Sequence, residues 1–190
     1  MKSSFLAVSL LLFAITSPLQ AQIEMASTQG MTSGWLTTVN AEFGGDPVVT
    51  ILFDDGSTQD VNAGQGISLT IGRFVRPNAG KMMYSYGFGF KYVTTKATNA
   101  DIRLMRYTLD ARVDRGLSNG LWIGAGPVAH VGAKLNMDGL GPNVSFDPAL
   151  GLNARFGWKA LSVTYTALTY KTNGFSFDAS SVGFSGHYPF

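Results

Sequence analysis

His130 and His187 are the two histidines of this chain, and they are its first candidates for catalysis. Hydrolysis or acyl transfer needs a serine hydroxyl or a water activated by a positioned histidine, with an acid to orient the ring. His187 stands in "FSGHYPF" at the end of the sequence, with Ser185 on the opposite side of Gly186. His130 stands in "GAGPVAHVG", and its inferred neighbour across a strand pair is Arg106, a cation where an acid is required. No serine completes a triad with either ring. The chain has no cysteine, which excludes a thiolate nucleophile, a disulfide framework and a Cys-built zinc site. The glycines of "GAGPVAHVG" and "GFGF" lie inside strand-like runs, so no phosphate-binding loop is implied. Asp54, Asp55 and Asp60 could hold calcium on an exposed hairpin or serve only as turn residues.

The more telling set is charged. Glu42, Lys91, Arg106, Asp110, Arg112, Asp114 and Arg155 all fall on the polar parity of their segments. Burying them without partners would be costly, so their mixed signs predict a self-satisfied network inside the fold. If strands pair through their short turns without slippage, Arg112 lies across from Gly124 and Asp110 from Gly126. Arg106 then lies across from Gly89 on one side and His130 on the other.

The elements that position these residues read as strands. In "LGLNARFGW", Leu150, Leu152, Ala154, Phe156 and Trp158 share one parity, and Gly151, Asn153, Arg155 and Gly157 the other. A period of two is a strand with two unlike faces. "MMYSYGFGFKY", "YTLDARVD" and "LSVTYT" repeat it, with large rings on one side and Gly, Ser, Thr or charge on the other. Charged residues make up 14% of the chain, below the roughly 25% of soluble domains, while glycine reaches 23 residues and aromatics 12%. A formal charge of +2 gives no basic field for nucleic acid. No helix is left to cover the apolar faces, so lipid must. A sheet in lipid cannot leave an edge unpaired, and it closes into a barrel.

Eight strands are predicted: Trp35–Phe43, Gly66–Arg76, Lys81–Thr94, Ala100–Arg115, Gly120–Lys134, Val144–Trp158, Ala160–Lys171 and Ala179–Phe190. Apolar parity switches between Met105 and Arg106 and again between Ala167 and Leu168, which predicts β-bulges there. Arg73 shares parity with Ile67, Leu69 and Ile71 unless a further bulge intervenes. The fold class is all-β: an up-and-down, eight-stranded antiparallel transmembrane β-barrel with a protruding extracellular hairpin. In that hairpin "VVTILF" and "STQDVN" flank Asp54-Asp55-Gly56. Short links around Pro77, Asn119 and Lys159 alternate with longer ones, as periplasmic turns do.

The N-terminus, "MKSSFLAVSLLLFAITSPLQA", carries a cation at Lys2, an apolar run from Phe5 to Ile15, the Ser17-Pro18 pair and a small residue at Ala21. That is the pattern of a secretory signal peptide, too short for a membrane span. Residues 1–21 are thus expected to be a signal, 22–34 a periplasmic leader and 35–190 the barrel.

With the signal, the alternating strands and the terminal "VGFSGHYPF", the chain resembles the small eight-stranded outer-membrane barrels of Gram-negative bacteria, in the company of the OmpA transmembrane domain and OmpX. The resemblance implies a bacterial outer-membrane location and a final strand read by the barrel-assembly machinery. Val182, Phe184, Tyr188 and Phe190 match that signal, Gly186 matches weakly, and Pro189 departs by removing a backbone donor. It also implies outer-membrane lipid around the wall, a monomer, no cofactor, and an extracellular partner reached through the loops. A shared fold does not choose a function. The expectation is a structural or surface-interaction protein without catalysis; a lipid A or phospholipid-modifying enzyme and a narrow channel stand as alternatives.

Overall fold

The computed structural model describes residues 32–190 apart from 54, 78, 79, 97–100 and 140. The expected signal peptide and most of the expected leader lie outside the described residues. In chain order the strands are β1 (Thr32–Phe43), β2 (Pro47–Leu52), β3 (Thr58–Asn62), β4 (Gly66–Arg76), β5 (Met82–Lys96), β6 (Asp101–Gly116), β7 (Leu121–Asp138), β8 (Val144–Ser145), β9 (Ala149–Trp158), β10 (Leu161–Ala167), β11 (Thr169–Thr172), β12 (Phe175–Asp178) and β13 (Ser181–Pro189).

Eight of them form a closed antiparallel ring in the order β1, β4, β5, β6, β7, β9, β10, β13, with β13 pairing back onto β1. The two-residue β8 is an adjunct of β7. Closure leaves no edge, which is what a sheet facing hydrocarbon requires. β1 begins at Thr32, so residues 32–34 belong to the wall, paired with Arg76, Val75 and Phe74.

Alternation decides which side chains line the two faces. Ile67, Leu69 and Ile71 on β4, Tyr84, Tyr86 and Phe88 on β5, and Val163 and Tyr165 on β10 are exposed on the outer wall. Their neighbours Ser68, Thr70, Ser85, Thr164 and Thr166 are buried inside. Arg73 keeps the outward parity of β4 without a bulge, its guanidinium 5.0 Å from the centroid of the Trp35 ring.

Neither of the two expected changes of face occurs. Ile102 and Leu104 point inward on the same parity as Arg106 and Thr108, and Leu168 and Tyr170 continue the inward parity of Thr166. The interior itself turns apolar toward one end, so the parity of the apolar residues changes while the face does not. The register does slip between Met105 and Tyr107, but the extra residue lies on β7, where Gly132 takes φ 61° and inward parity passes from His130 to Ala133. A left-handed glycine is the residue a bulge of that kind needs.

Register also differs from expectation by two residues on both sides of β6. Gly116 pairs with Trp122, through a turn with positive φ at Asn119 and Gly120, so Asp114 faces Gly124, Asp110 faces Val128 and Thr108 faces His130. On the other side Arg106 faces Lys91 and Thr108 faces Gly89. Turn geometry sets the register of a hairpin, and the β6–β7 turn is centred a residue later than expected.

β2 and β3 pair only with each other, as do β11 and β12. Both hairpins stand at the end of the ring opposite Thr32 and Phe190, and each prolongs a pair of wall strands: Gly64 N donates to Gly44 O and Ala63 N to Asp46 O between the β1–β4 and β2–β3 pairs, and Ala179 N donates to Leu168 O between the β10–β13 and β11–β12 pairs. Ile51 and Val61 of the first hairpin and Tyr170 of the second are buried with Ile102, Leu104, Leu135, Phe146 and Leu168 in one apolar cluster. The first hairpin therefore rests one face on the barrel mouth and leaves its Leu52 exposed.

Candidate functional site

The interior is layered. At mid-height Arg112 Nε lies 3.5 Å from Asp110 Oδ2, two residues away on the same face of β6, and its guanidinium also bonds Ser85 Oγ across the strand pair. Arg155 on β9 donates to Asn153 Oδ1 at 3.1 Å. Asp114 and Arg155 are buried close by. Inward glycines make the room: a Cβ on Gly124 would strike Asp114 Oδ1, and one on Gly87 would meet Asp110 Oδ1 at 3.3 Å. Asn40 donates to Ser68 and Thr164 pairs with Ser185 in the polar space between layers.

Nearer the hairpins, Glu42 Oε2 accepts Lys91 Nζ at 2.8 Å, while Glu42 Oε1 accepts Thr166 Oγ1 at 3.0 Å and Ser181 Oγ at 3.1 Å. Lys91 Nζ also donates to the Gly64 carbonyl at 2.6 Å, and Arg106 donates to the Gln65 carbonyl at 2.5 Å. Those carbonyls belong to the segment returning from the β2–β3 hairpin into the wall. The buried cations thus tie the hairpin's return to the barrel. Directly beyond them sits the apolar cluster, with His130 Nδ1 2.6 Å from Tyr170 Oη at the boundary.

All seven charges singled out by parity are on the inner face, in two groups: Glu42, Lys91 and Arg106 toward the hairpins, and Asp110, Arg112, Asp114 and Arg155 from mid-height to the cavity at the opposite end. Among the described residues, Arg106 Nε and Nη1, Asp114 Oδ1 and Arg155 Nη1 have no protein hydrogen-bond partner. The apolar cluster is what sequence reasoning missed. Its signal was Ile102, Leu104, Leu168 and Tyr170, whose hydrophobicity equally suits a lipid face.

At the other end the ring opens into a cavity of about 570 Å³, lined among others by Leu36, Phe74, Arg76, Lys81, Trp122 and His187. His187 is held on both ring nitrogens, Nδ1 3.2 Å from Thr38 Oγ1 and Nε2 2.9 Å from Ser162 Oγ, with the Trp122 ring edge-on at 5.2 Å. No acid touches it. In the last strand Val182, Phe184, Tyr188 and Phe190 are exposed on the outer wall. Phe190 is not frayed: it exchanges backbone hydrogen bonds with Trp35 at 2.8 and 3.0 Å. Pro189 costs no ladder bond, because β10 stops pairing with β13 at Gly186.

On the first hairpin Asp55 accepts the hydroxyl and the amide of Ser57, and these bonds hold its carboxyl below the usual range. Asp60 accepts Thr50 Oγ1, and Asp54 lies outside the described residues. Among the described residues no group of three or more acidic or histidine side chains could hold a metal.

A closed eight-stranded ring with an apolar outer belt and a charged, polar inside is inverted relative to a soluble protein, and its solvent on the outside is lipid. The chain has the architecture of a small outer-membrane β-barrel. No family model matches it, and no curated protein does. Among solved structures, the barrel is similar to Ail, the attachment invasion locus protein of Yersinia pestis, in complex with the heparin analogue sucrose octasulfate. That likeness has 11% identity, a TM-score of 0.46, and coverage of 85% of this chain and 100% of the other. A second Ail structure gives 10% identity, a TM-score of 0.42 and the same coverage.

Proposed function

We propose that this protein is a bacterial outer-membrane barrel whose interior is a structural plug and whose extracellular hairpins contact a partner, without catalysis. The observation that carries this is the stacking of an apolar cluster on a buried charged layer at the hairpin end. Ions would have to cross packed side chains. The neighbours of His130 and His187 are hydroxyls, a ring and cations, which orient neither histidine as a general base.

The hairpin end is acidic. Asp46, Asp55, Asp60, Asp101, Asp138, Asp147 and Asp178 stand there against Lys96, Arg103, Lys134 and Lys171 among the described residues. Leu52 and Phe175 are exposed on the two hairpins. A polyanion of the kind in the Ail crystal would meet repulsion at this end, and a basic protein segment with apolar side chains fits it better.

Refolded protein in a planar bilayer is expected to give no discrete conductance, and steady channel steps would overturn the plug. A lysine-rich fluorescent peptide should bind protein in zwitterionic nanodiscs at low salt and lose affinity in Asp55→Asn/Asp138→Asn/Asp147→Asn. Equal binding by parent and variant would remove the acidic face as the contact. Turnover of lipid A or phospholipid, followed by mass spectrometry, would restore the enzyme alternative.

A further inference from the structure

The two ends of the barrel carry opposite charge. At the end that holds Phe190 and the short turns stand Arg73, Arg76, Lys81, Arg115 and Lys159, and among the described residues the acid lining the cavity there is Asp114. The nearest acid, Asp114, is buried on the inner face.

Three of these cations stand outside the wall. Arg73 and Arg115 lie on the outward parity of β4 and β6, opposite Trp35 and Ile123 respectively, and Lys159 sits in the turn that follows Trp158. Arg73 lies over the Trp35 ring at 5.0 Å and Lys159 Nζ over the Trp158 ring at 4.8 Å. Trp35 and Trp158 are both exposed on the outer wall, next to the rim. Tryptophan in that position marks the depth of the lipid headgroups. Cations over such rings present their charge sideways, at headgroup level.

From this charge complementarity we infer that the periplasmic rim is a binding surface for anionic phospholipid, gripping headgroup phosphates that carry no compensating amine. The inference rests on the membrane-spanning reading of the outer wall. Phosphate recognition by an arginine fork or a lysine ammonium at an interface needs no deep pocket, because the lipid's chains are already held alongside the wall. The rim would retain a ring of anionic lipid in the periplasmic leaflet, while the acidic opposite end repels such lipid.

The test places the mature protein in nanodiscs of equimolar phosphatidylglycerol and phosphatidylethanolamine, exchanges it into detergent, and measures the retained lipid by mass spectrometry. The parent should retain phosphatidylglycerol preferentially. Arg73→Gln/Arg115→Gln/Lys159→Gln should lower that enrichment about tenfold, and Lys134→Gln/Lys171→Gln, at the hairpin end, should leave it unchanged. No preference in the parent, an unaltered preference in the rim variant, or equal loss in both variants would overturn the proposal. Arg115→Gln alone, which disturbs no aromatic partner, should lose part of the enrichment and serves if the triple variant does not fold. A heat-modifiable gel shift reports barrel formation separately, so its absence in the parent would sink the membrane reading and not merely the lipid preference.

Discussion

Glu42 and Lys91 meet at 2.8 Å across an intervening strand. Glu42 is on β1, Lys91 on β5, and β4 lies between them, where Gly66 pairs with Glu42 and a Cβ on Gly66 would meet Lys91 Cγ at 3.3 Å. The ion pair therefore crosses the inner surface where a glycine lets it pass. Removing one partner leaves a buried charge uncompensated. Glu42→Leu should lower stability by about 3–5 kcal/mol in a urea titration of detergent-refolded protein, and adding Lys91→Met should recover part of it. A loss below 1 kcal/mol, on the order of an exposed pair, would show that water reaches this layer.

Phe190 closes the ring with Trp35 through two backbone bonds while its side chain faces outward. Deleting it removes a ring worth roughly 1.5–3 kcal/mol of burial, too little to open a closed sheet. If the outward Val182, Phe184, Tyr188 and Phe190 also form the insertion signal, the deletion should reduce assembly in cells while refolding into detergent stays near normal. Equal insertion of the deletion and the parent in cells would end that role.

His187 joins β13 to β1 through Thr38 and to β10 through Ser162. His187→Ala strands two hydroxyls near the cavity floor, at a cost of about 1–3 kcal/mol. His187→Gln, which can still donate and accept, should recover part of that cost. Neither substitution should alter any lipid composition, and an abolished lipid-modifying activity would make the ring catalytic.

Gly45 sits where the two hairpins meet, with φ 85° and an imagined Cβ 2.6 Å from Gly64 N and 2.7 Å from Asp178 O. Beside it Asp46 N donates to Asp178 O and Asp178 N donates to Asp46 Oδ2, both at 2.7 Å. Gly45→Ala is both strained and crowded. Protease should then cut the β2–β3 hairpin faster at unchanged barrel content, measured by limited proteolysis of folded protein. Unchanged cleavage would mean the junction does not hold the hairpin down.

Period-two alternation by itself determined that this chain is a sheet with an apolar and a polar face, and that Glu42, Lys91, Arg106, Asp110, Arg112, Asp114 and Arg155 share the polar one. Successive side chains of a strand point to opposite sides, so that partition is a local property. Once no covering layer was left, closure followed from the cost of an unpaired edge in lipid. Which charge meets which was decided only by the tertiary structure. The turn through Asn119 and Gly120 sets register, and the left-handed Gly132 shifts it within β7. The face of Ile102, Leu104, Leu168 and Tyr170 was decided there too. Hydrophobicity measures escape from water, and lipid outside or a hairpin folded onto the mouth satisfies it equally. Only the packing of Ile51 and Val61 against these residues places them inside.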